Sequence, residues 1–72
     1  MSVALDAFLA RWYAASIGRE DKSKVLSDFA AACERDASLK TEATSRKLRP
    51  NDPILKRDHI SRVHNDFLER IT

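Results

Sequence analysis

The chain has a single glycine, Gly18, and two prolines, Pro50 and Pro53, among its 72 residues. β-Hairpins need closely spaced turn residues, and no run of β-branched residues here is typical of a strand. The apolar residues instead recur at spacings of three and four, which favours helices. We therefore predict an all-α protein, a small bundle of three to four helices forming one domain over residues 1–72. The predicted helices span about residues 3–16, 20–36, 38–48 (a short one) and 53–71.

The first predicted helix has a regular apolar stripe. Leu5, Phe8, Leu9 and Trp12 follow the i, i+3, i+4, i+7 spacing of a face that packs on a core. Gly18 follows the helix closely and is a natural C-terminal stop, because glycine enters the left-handed conformation at little cost. These residues predict the inner face of the helix and its end.

The opposite side of the same helix is also apolar. Asp6 and Arg11 are the only charged residues between Met1 and Gly18. A helix that is apolar nearly all round is normally covered on more than one side, here by two helices of the same chain or by a second subunit. We predict that this second apolar face binds a partner, with Tyr13 at its edge. Its residues are Val3, Ala7, Ala10, Tyr13, Ala14 and Ile17.

The second predicted helix starts near Glu20 or Asp21, whose carboxylates suit the positive end of a helix dipole. Its predicted inner residues are Val25, Leu26, Phe29, Ala32 and Cys33. After it, the pattern permits two interpretations. Either Ser38 caps a new short helix after a break near Asp36, which we favour, or the second helix continues, since Leu39 and Ala43 extend its stripe.

The last predicted helix has the clearest start. Asp52 is placed as its N-cap and Pro53 as its first residue, where the missing N–H of proline costs nothing. The inward stripe is predicted to comprise Ile60, Val63, Phe67 and Ile71, with His64 and Leu68 on its flank. The predicted solvent-facing residues are Arg62, Asn65, Asp66 and Glu69.

Composition excludes several classes of protein. Charged residues make up 33% of the chain, and the longest uncharged run, Trp12–Gly18, is far short of the roughly 20 residues that cross a bilayer. No basic segment precedes an apolar core at the start, so we expect no secretory signal. The one cysteine, Cys33, excludes an internal disulfide and favours a reducing, cytoplasmic location. Abundant alanine and an excess of Arg over Lys are typical of a bacterial or phage protein.

The residues that carry chemistry do not form a recognisable constellation. His59 and His64 are five residues apart, so on a helix they point about 140° away from each other and do not chelate one metal. Cys33 would need a base such as His64 to act as a nucleophile, and we interpret it as a small core residue instead. A single glycine allows no phosphate-binding loop. We therefore predict no catalytic activity, no metal and no cofactor.

Positive charge is concentrated in the second half of the chain. Residues 37–72 carry eight basic and five acidic residues, whereas residues 1–36 carry five and six. Basic side chains near a helix N-terminus bind phosphate or a carboxylate, although such a stretch is also an ordinary solvated face. The candidate anion or nucleic-acid contacts, which we name the basic segment, are Arg46, Lys47, Arg49, Lys56 and Arg57.

Two functions follow from these patterns. The first is a small regulator, inhibitor or accessory subunit that binds another protein through the second apolar face, the basic segment, or both. The alternative is a nucleic-acid-binding regulator that uses residues 40–57 as a dimer, although the sequence lacks a helix-turn-helix pattern. Because so short a chain buries little apolar surface, we expect a homodimer or a bound partner protein.

Overall fold

The computed structural model describes residues 3–72, and it contains five helices in that range. None of the described residues lies in a strand, so the predicted all-α bundle is confirmed. Four helices have nine residues or more, in agreement with the predicted three to four helices. The fifth, α4, has five residues and was not predicted as a separate helix. The helices are α1 (Val3–Ser16), α2 (Lys22–Arg35), α3 (Ser38–Arg46), α4 (Pro53–Arg57) and α5 (His59–Ile71).

The core is built around three aromatic side chains from three helices. Phe67 of α5 contacts Trp12 of α1 and Phe29 of α2, with ring centroids 5.1 and 5.3 Å apart. All three side chains are at most 2% exposed. Edge-on and tilted ring packing of this kind adds to the stabilisation from burial. The remaining buried core residues are Leu5, Leu9, Ala15, Val25, Leu39, Ala43 and Leu68.

The turn between α1 and α2 follows the predicted stop. Gly18 has φ +82°, in the left-handed region, and α1 ends two residues before it. The second helix starts at Lys22 rather than at residue 20, because the Asp21 side chain is the N-cap and accepts from the Ser23 N–H. The carboxylate of Glu20 binds the guanidinium of Arg11 instead.

The break between α2 and α3 at Asp36 is confirmed, and the alternative of a continuous second helix is wrong. Asp36 has an extended backbone, and its carboxylate accepts from both the N–H and the hydroxyl of Ser38. Ser38 is therefore the first residue of α3 and not its N-cap as expected. The N-cap is Ala37, which makes no side-chain capping hydrogen bond. The helix that follows ends at Arg46, two residues earlier than predicted.

The predicted continuous helix over 53–71 is wrong, although its start is correct. Asp52 caps α4 by accepting from the Ile54 N–H, with Pro53 at the first position. The chain then breaks at Asp58, whose carboxylate accepts from the backbone of Ile60 and Ser61 and so starts α5. Hydrogen bonds from the hydroxyl and backbone of Ser61 hold the pKa of Asp58 below its usual range.

Two residues of α5 lie on the opposite side from the one predicted. Ile60, expected in the core, is 51% exposed because it lies in the first turn after the break. Asn65, expected in water, is only 4% exposed because its amide has hydrogen-bond partners inside the fold. Leu68 is fully buried rather than at the flank. No helix within residues 3–72 has the length and hydropathy needed to cross a membrane.

Candidate protein-interaction surface

The second apolar face of α1 remains uncovered when the helices pack. Through its inner side α1 contacts α2, α3 and α5 and buries Leu5, Leu9, Trp12 and Ala15. On the other side, Val3 is 81% exposed and Ile17 53%. Within the same face Ala7 and Ala10 are exposed, and Tyr13 and Ala14 are half-buried.

Ion pairs to α2, to α3 and to the turn between α1 and α2 engage both charged residues of α1. Asp6 accepts from Arg46 of α3 over 2.5 Å. Arg11 binds Glu20 at 2.6 Å and Asp28 at 2.9 Å. These hydrogen bonds raise the pKa of the guanidinium, and the bond to Glu20 has the larger effect. Sequence reasoning missed all three pairs, because the partners lie at least nine residues away. The charges of α1 therefore tie it to its neighbours, and the apolar side chains are left facing outward.

A groove of about 430 Å³ runs between the second apolar face and α5. Ala10 and Tyr13 line it from α1, and Ile60 and His64 line it from α5. The Asp6–Arg46 ion pair lies at its border, and we name this feature the α1–α5 groove. The predicted face of α1 is thus one wall of a larger surface, whose α5 wall was not predicted as a site.

A second groove of about 250 Å³ adjoins the first, since Leu9, Arg46 and His64 line both. The second groove also contains Leu48 from the α3–α4 connection and Ile54 from α4, which is 39% exposed. The two grooves together extend the apolar surface from α1 across α5 to the start of α4.

His64 lies where the two grooves meet, and it is half-buried. Burial lowers the pKa of its imidazole below the ordinary value of 6.5, and the charge of Arg46 adds to this effect. Asp58 and Asp6 oppose the shift by a smaller amount. At neutral pH the centre of the surface therefore carries an uncharged imidazole, which suits an apolar contact.

Within the basic segment, Arg46 lines both grooves. The other cations lie one to three residues along the chain from Leu48 or Ile54, which line the second groove. Arg46 is paired with Asp6. The rest of the segment is exposed and forms no ion pair with any residue of the described range. These unpaired cations are Lys47, Arg49, Lys56 and Arg57.

The start of α4, considered from the sequence as an anion site, is satisfied from within the chain. The Asp52 carboxylate accepts the Ile54 N–H there. Lys56 and Arg57 lie at the opposite end, in the last turn of α4, where cations interact favourably with the helix dipole. The exposed cations are therefore available to a partner as surface charges rather than as a pocket around one helix end.

The candidate catalytic groups lie in separate places. Cys33 lines a groove with Phe29, Lys40 and Arg70, whereas His64 lines the two grooves on the α4 side of α5. Burial raises the pKa of the Cys33 thiol, which disfavours the reactive thiolate. Over the part of the chain from residue 3 onward, no three His, Cys, Asp or Glu side chains are grouped to hold a metal ion.

Comparison with known proteins identifies no relative, so the proposed function rests on the surface of the molecule. No protein-family model, curated protein or solved structure matches the chain. The features of the described residues that bear on function are the exposed apolar side chains, the grooves beside them and the unpaired cations.

Proposed function

We propose that this chain is a small non-catalytic helical protein that regulates, inhibits or assists another protein by binding to it directly. The observation that supports this function is the second apolar face of α1, which is exposed at Val3, Ala7, Ala10 and Ile17. The opposite side of the helix buries Leu5, Leu9, Trp12 and Ala15. Exposed apolar surface that continues into a groove and is rimmed by charges is typical of protein-binding sites.

The size of the chain gives an independent reason for association. A domain of this size buries a smaller share of its surface than a larger domain does, so covering the second apolar face adds stabilisation of about 25 cal/mol per Å² removed from water. The partner is a different protein or a second copy of this chain as a homodimer. The single free thiol, Cys33, suits a reducing compartment, and we place the binding in the cytoplasm.

The test compares two matched substitutions of exposed helical alanines. Ala10→Glu puts a charge into the α1–α5 groove, whereas Ala30→Glu puts the same charge on α2, beside a different groove. Both changes have the same cost in helix propensity. Circular dichroism checks that the helices are retained, sedimentation velocity measures self-association, and affinity capture from cell extract measures binding to other proteins.

We expect the wild type and Ala30→Glu to associate alike and Ala10→Glu to lose the association. The proposal is overturned if all three proteins sediment as monomers and capture no protein. Capture of the same proteins by all three rejects the second apolar face as the binding surface. If Ala10→Glu loses its helices while Ala30→Glu keeps them, Ala10 belongs to the core, and the second apolar face is not a binding surface.

Nucleic acid is a second candidate ligand, favoured by the four cations of the basic segment that form no ion pair within residues 3–72. Each phosphate that they neutralise releases a counterion. On duplex DNA, a plot of the logarithm of the binding constant against the logarithm of the salt concentration therefore has a slope of about −0.9 per phosphate contact. Fluorescence anisotropy with random duplex DNA and single-stranded RNA at two salt concentrations tests this. Absence of binding at low salt rejects it.

A further inference from the structure

We infer that the α1–α5 groove receives an amphipathic helix of a partner protein, one with acidic residues beside its apolar face. This inference rests on the proposed function and specifies the chemistry of the partner. Three properties of the surface carry it: the shape of the groove, the side chains along its walls, and the sign of the charge beside it.

The shape favours a helix. The groove lies between two helices that pack against each other, and a third helix fills such a space with its own ridges. Ala10 in the α1 wall is small and exposed, so the backbone of an incoming helix approaches closely there. Helix-in-groove recognition uses apolar residues at i, i+3, i+4 and i+7 of the bound segment.

The walls favour an apolar contact. Ile60 is 51% exposed although it belongs to a helix with a strongly apolar inner side, and Tyr13 faces it across the groove. Tyrosine suits such a position because its ring buries apolar area while its hydroxyl stays at a wet edge. His64 between them is held uncharged at neutral pH by burial. A partner therefore loses little binding free energy by placing leucine or phenylalanine against the walls of the α1–α5 groove.

The charge beside the groove favours acidic residues on the partner. Asp6, the one acidic residue along the two grooves, is already bound to Arg46. Nearby, the carboxylates of Asp52 and Asp58 accept hydrogen bonds from the starts of α4 and α5. Residues 46–58 still carry five cations against these two carboxylates, a net charge of +3, and glutamates flanking the apolar stripe of a partner helix supply the complementary negative charge.

The same charges argue against a second copy in this groove. Two identical surfaces facing each other would bring the same groups together, because a twofold interface is self-complementary. Each copy carries the four unpaired cations of the basic segment, and the one carboxylate that lines the grooves, Asp6, is already bound to Arg46. Juxtaposed like charges disfavour that pairing, whereas an acidic helix satisfies both the apolar walls and the cations.

The experiment uses a displayed library of peptides of about 18 residues, or five helical turns. Leu, Ile, Phe or Met are varied at the i, i+3, i+4, i+7 positions, and Glu, Gln or Lys at the flanking positions. The full chain is the bait. We expect selection to enrich Glu over Lys, and we expect binding of the best Glu peptide to weaken as salt rises.

Variants then locate the site by anisotropy with that labelled peptide. Ala10→Glu and the double variant Arg49→Glu/Lys56→Glu each raise the Kd by about tenfold or more, equivalent to about 1.4 kcal/mol. Ala30→Glu leaves the Kd unchanged. Ile60→Gln, at an exposed position, serves as the second groove variant should Ala10→Glu lose its helices.

The failures of the two proposals are distinguishable. Enrichment of Lys or Gln, or a Glu peptide whose Kd is unchanged by the groove variants, overturns the acidic-helix inference and leaves protein binding intact. If no peptide is selected and the chain forms a dimer that Ala10→Glu dissociates, the occupant of the groove is a second copy. That result also overturns the acidic-helix inference and leaves protein binding intact. Absence of peptides with no association of any kind, or with tight binding to nucleic acid alone, overturns both.

Discussion

The side-chain amide of Asn65 hydrogen bonds both backbone groups of Leu48. The Leu48 N–H donates to Oδ1 over 2.6 Å, and Nδ2 donates to the Leu48 carbonyl oxygen over 3.2 Å. Nδ2 also reaches the carboxylate of Glu69 at 3.4 Å, so the amide is fully engaged. Through this contact the α3–α4 connection is fastened to α5 beside the grooves that form the candidate surface.

Replacing Asn65 by alanine should destabilise the fold. The substitution removes both partners of the Leu48 backbone, and partly buried polar groups left without partners cost about 1–3 kcal/mol. Urea unfolding followed by circular dichroism measures the loss, and the Leu48 amide should exchange its hydrogen faster. The control is Asn51→Ala, an exposed amide in the turn before α4. Equal unfolding midpoints for the two variants would show that the amide contact adds no stability.

Arg11→Met should lower stability by about 0.5–1 kcal/mol at low salt, because it removes one cation shared by Glu20 and Asp28. The side chains are about one-third exposed, so the pairs are screened and the difference should shrink in 1 M salt, where the Debye length is about 3 Å. Arg19→Met is the control, since Arg19 is exposed and forms no ion pair within residues 3–72. A loss that is the same at both salt concentrations would point to packing rather than charge.

Gly18→Ala should destabilise the turn by about 1–2 kcal/mol, the cost of a left-handed backbone for a residue with a Cβ. The added methyl group would meet no heavy atom within 4 Å, so the cost comes from the backbone alone. Gly18→Asn should lose less, because asparagine tolerates this conformation better than alanine. Thermal unfolding of the three proteins checks this order. Finding Asn no better than Ala would mean that the turn itself had changed.

Stability should fall as the pH drops below about 7, through the titration of His64. Burial lowers its pKa in the folded state below 6.5, so the unfolded chain takes up the proton first as the pH falls. The decline begins near the ordinary pKa of 6.5 and ends once the folded state is protonated too. Urea midpoints between pH 7.5 and 5 should therefore decrease for the wild type and less steeply for His64→Gln. His59→Gln, at an exposed position in the first turn of α5, should follow the wild type.

The sequence was sufficient where one residue controls a local event. Gly18 ends the first helical segment, Asp36 separates the next two, and Asp52 with Pro53 starts the fourth. Asp58 is an aspartate N-cap like Asp52. The sequence does not predict this break, because the apolar spacing across residues 53–71 is also compatible with one continuous helix.

The candidate surface was only half predictable. The α1 wall follows from the periodicity of one helix, since an apolar second face is visible in the sequence. The α5 wall depends on which helix packs beside α1, and that is a tertiary property. Ile60 faces outward because α5 starts one residue before it, and Asn65 is buried because it pairs with a backbone. The sequence does not show which backbone groups need a side chain as their hydrogen-bond partner.

The position of Phe67 late in the chain has a consequence for folding during synthesis. The first two helices can form and pack together as they are made. Trp12 and Phe29 then lack their contact with the Phe67 ring until α5 is made. Until residue 67 has been added, the growing chain displays two large aromatic side chains on one side of a helical hairpin. Transiently exposed apolar surface makes partly folded chains prone to aggregate, so we expect this protein to be most prone to aggregate before α5 packs.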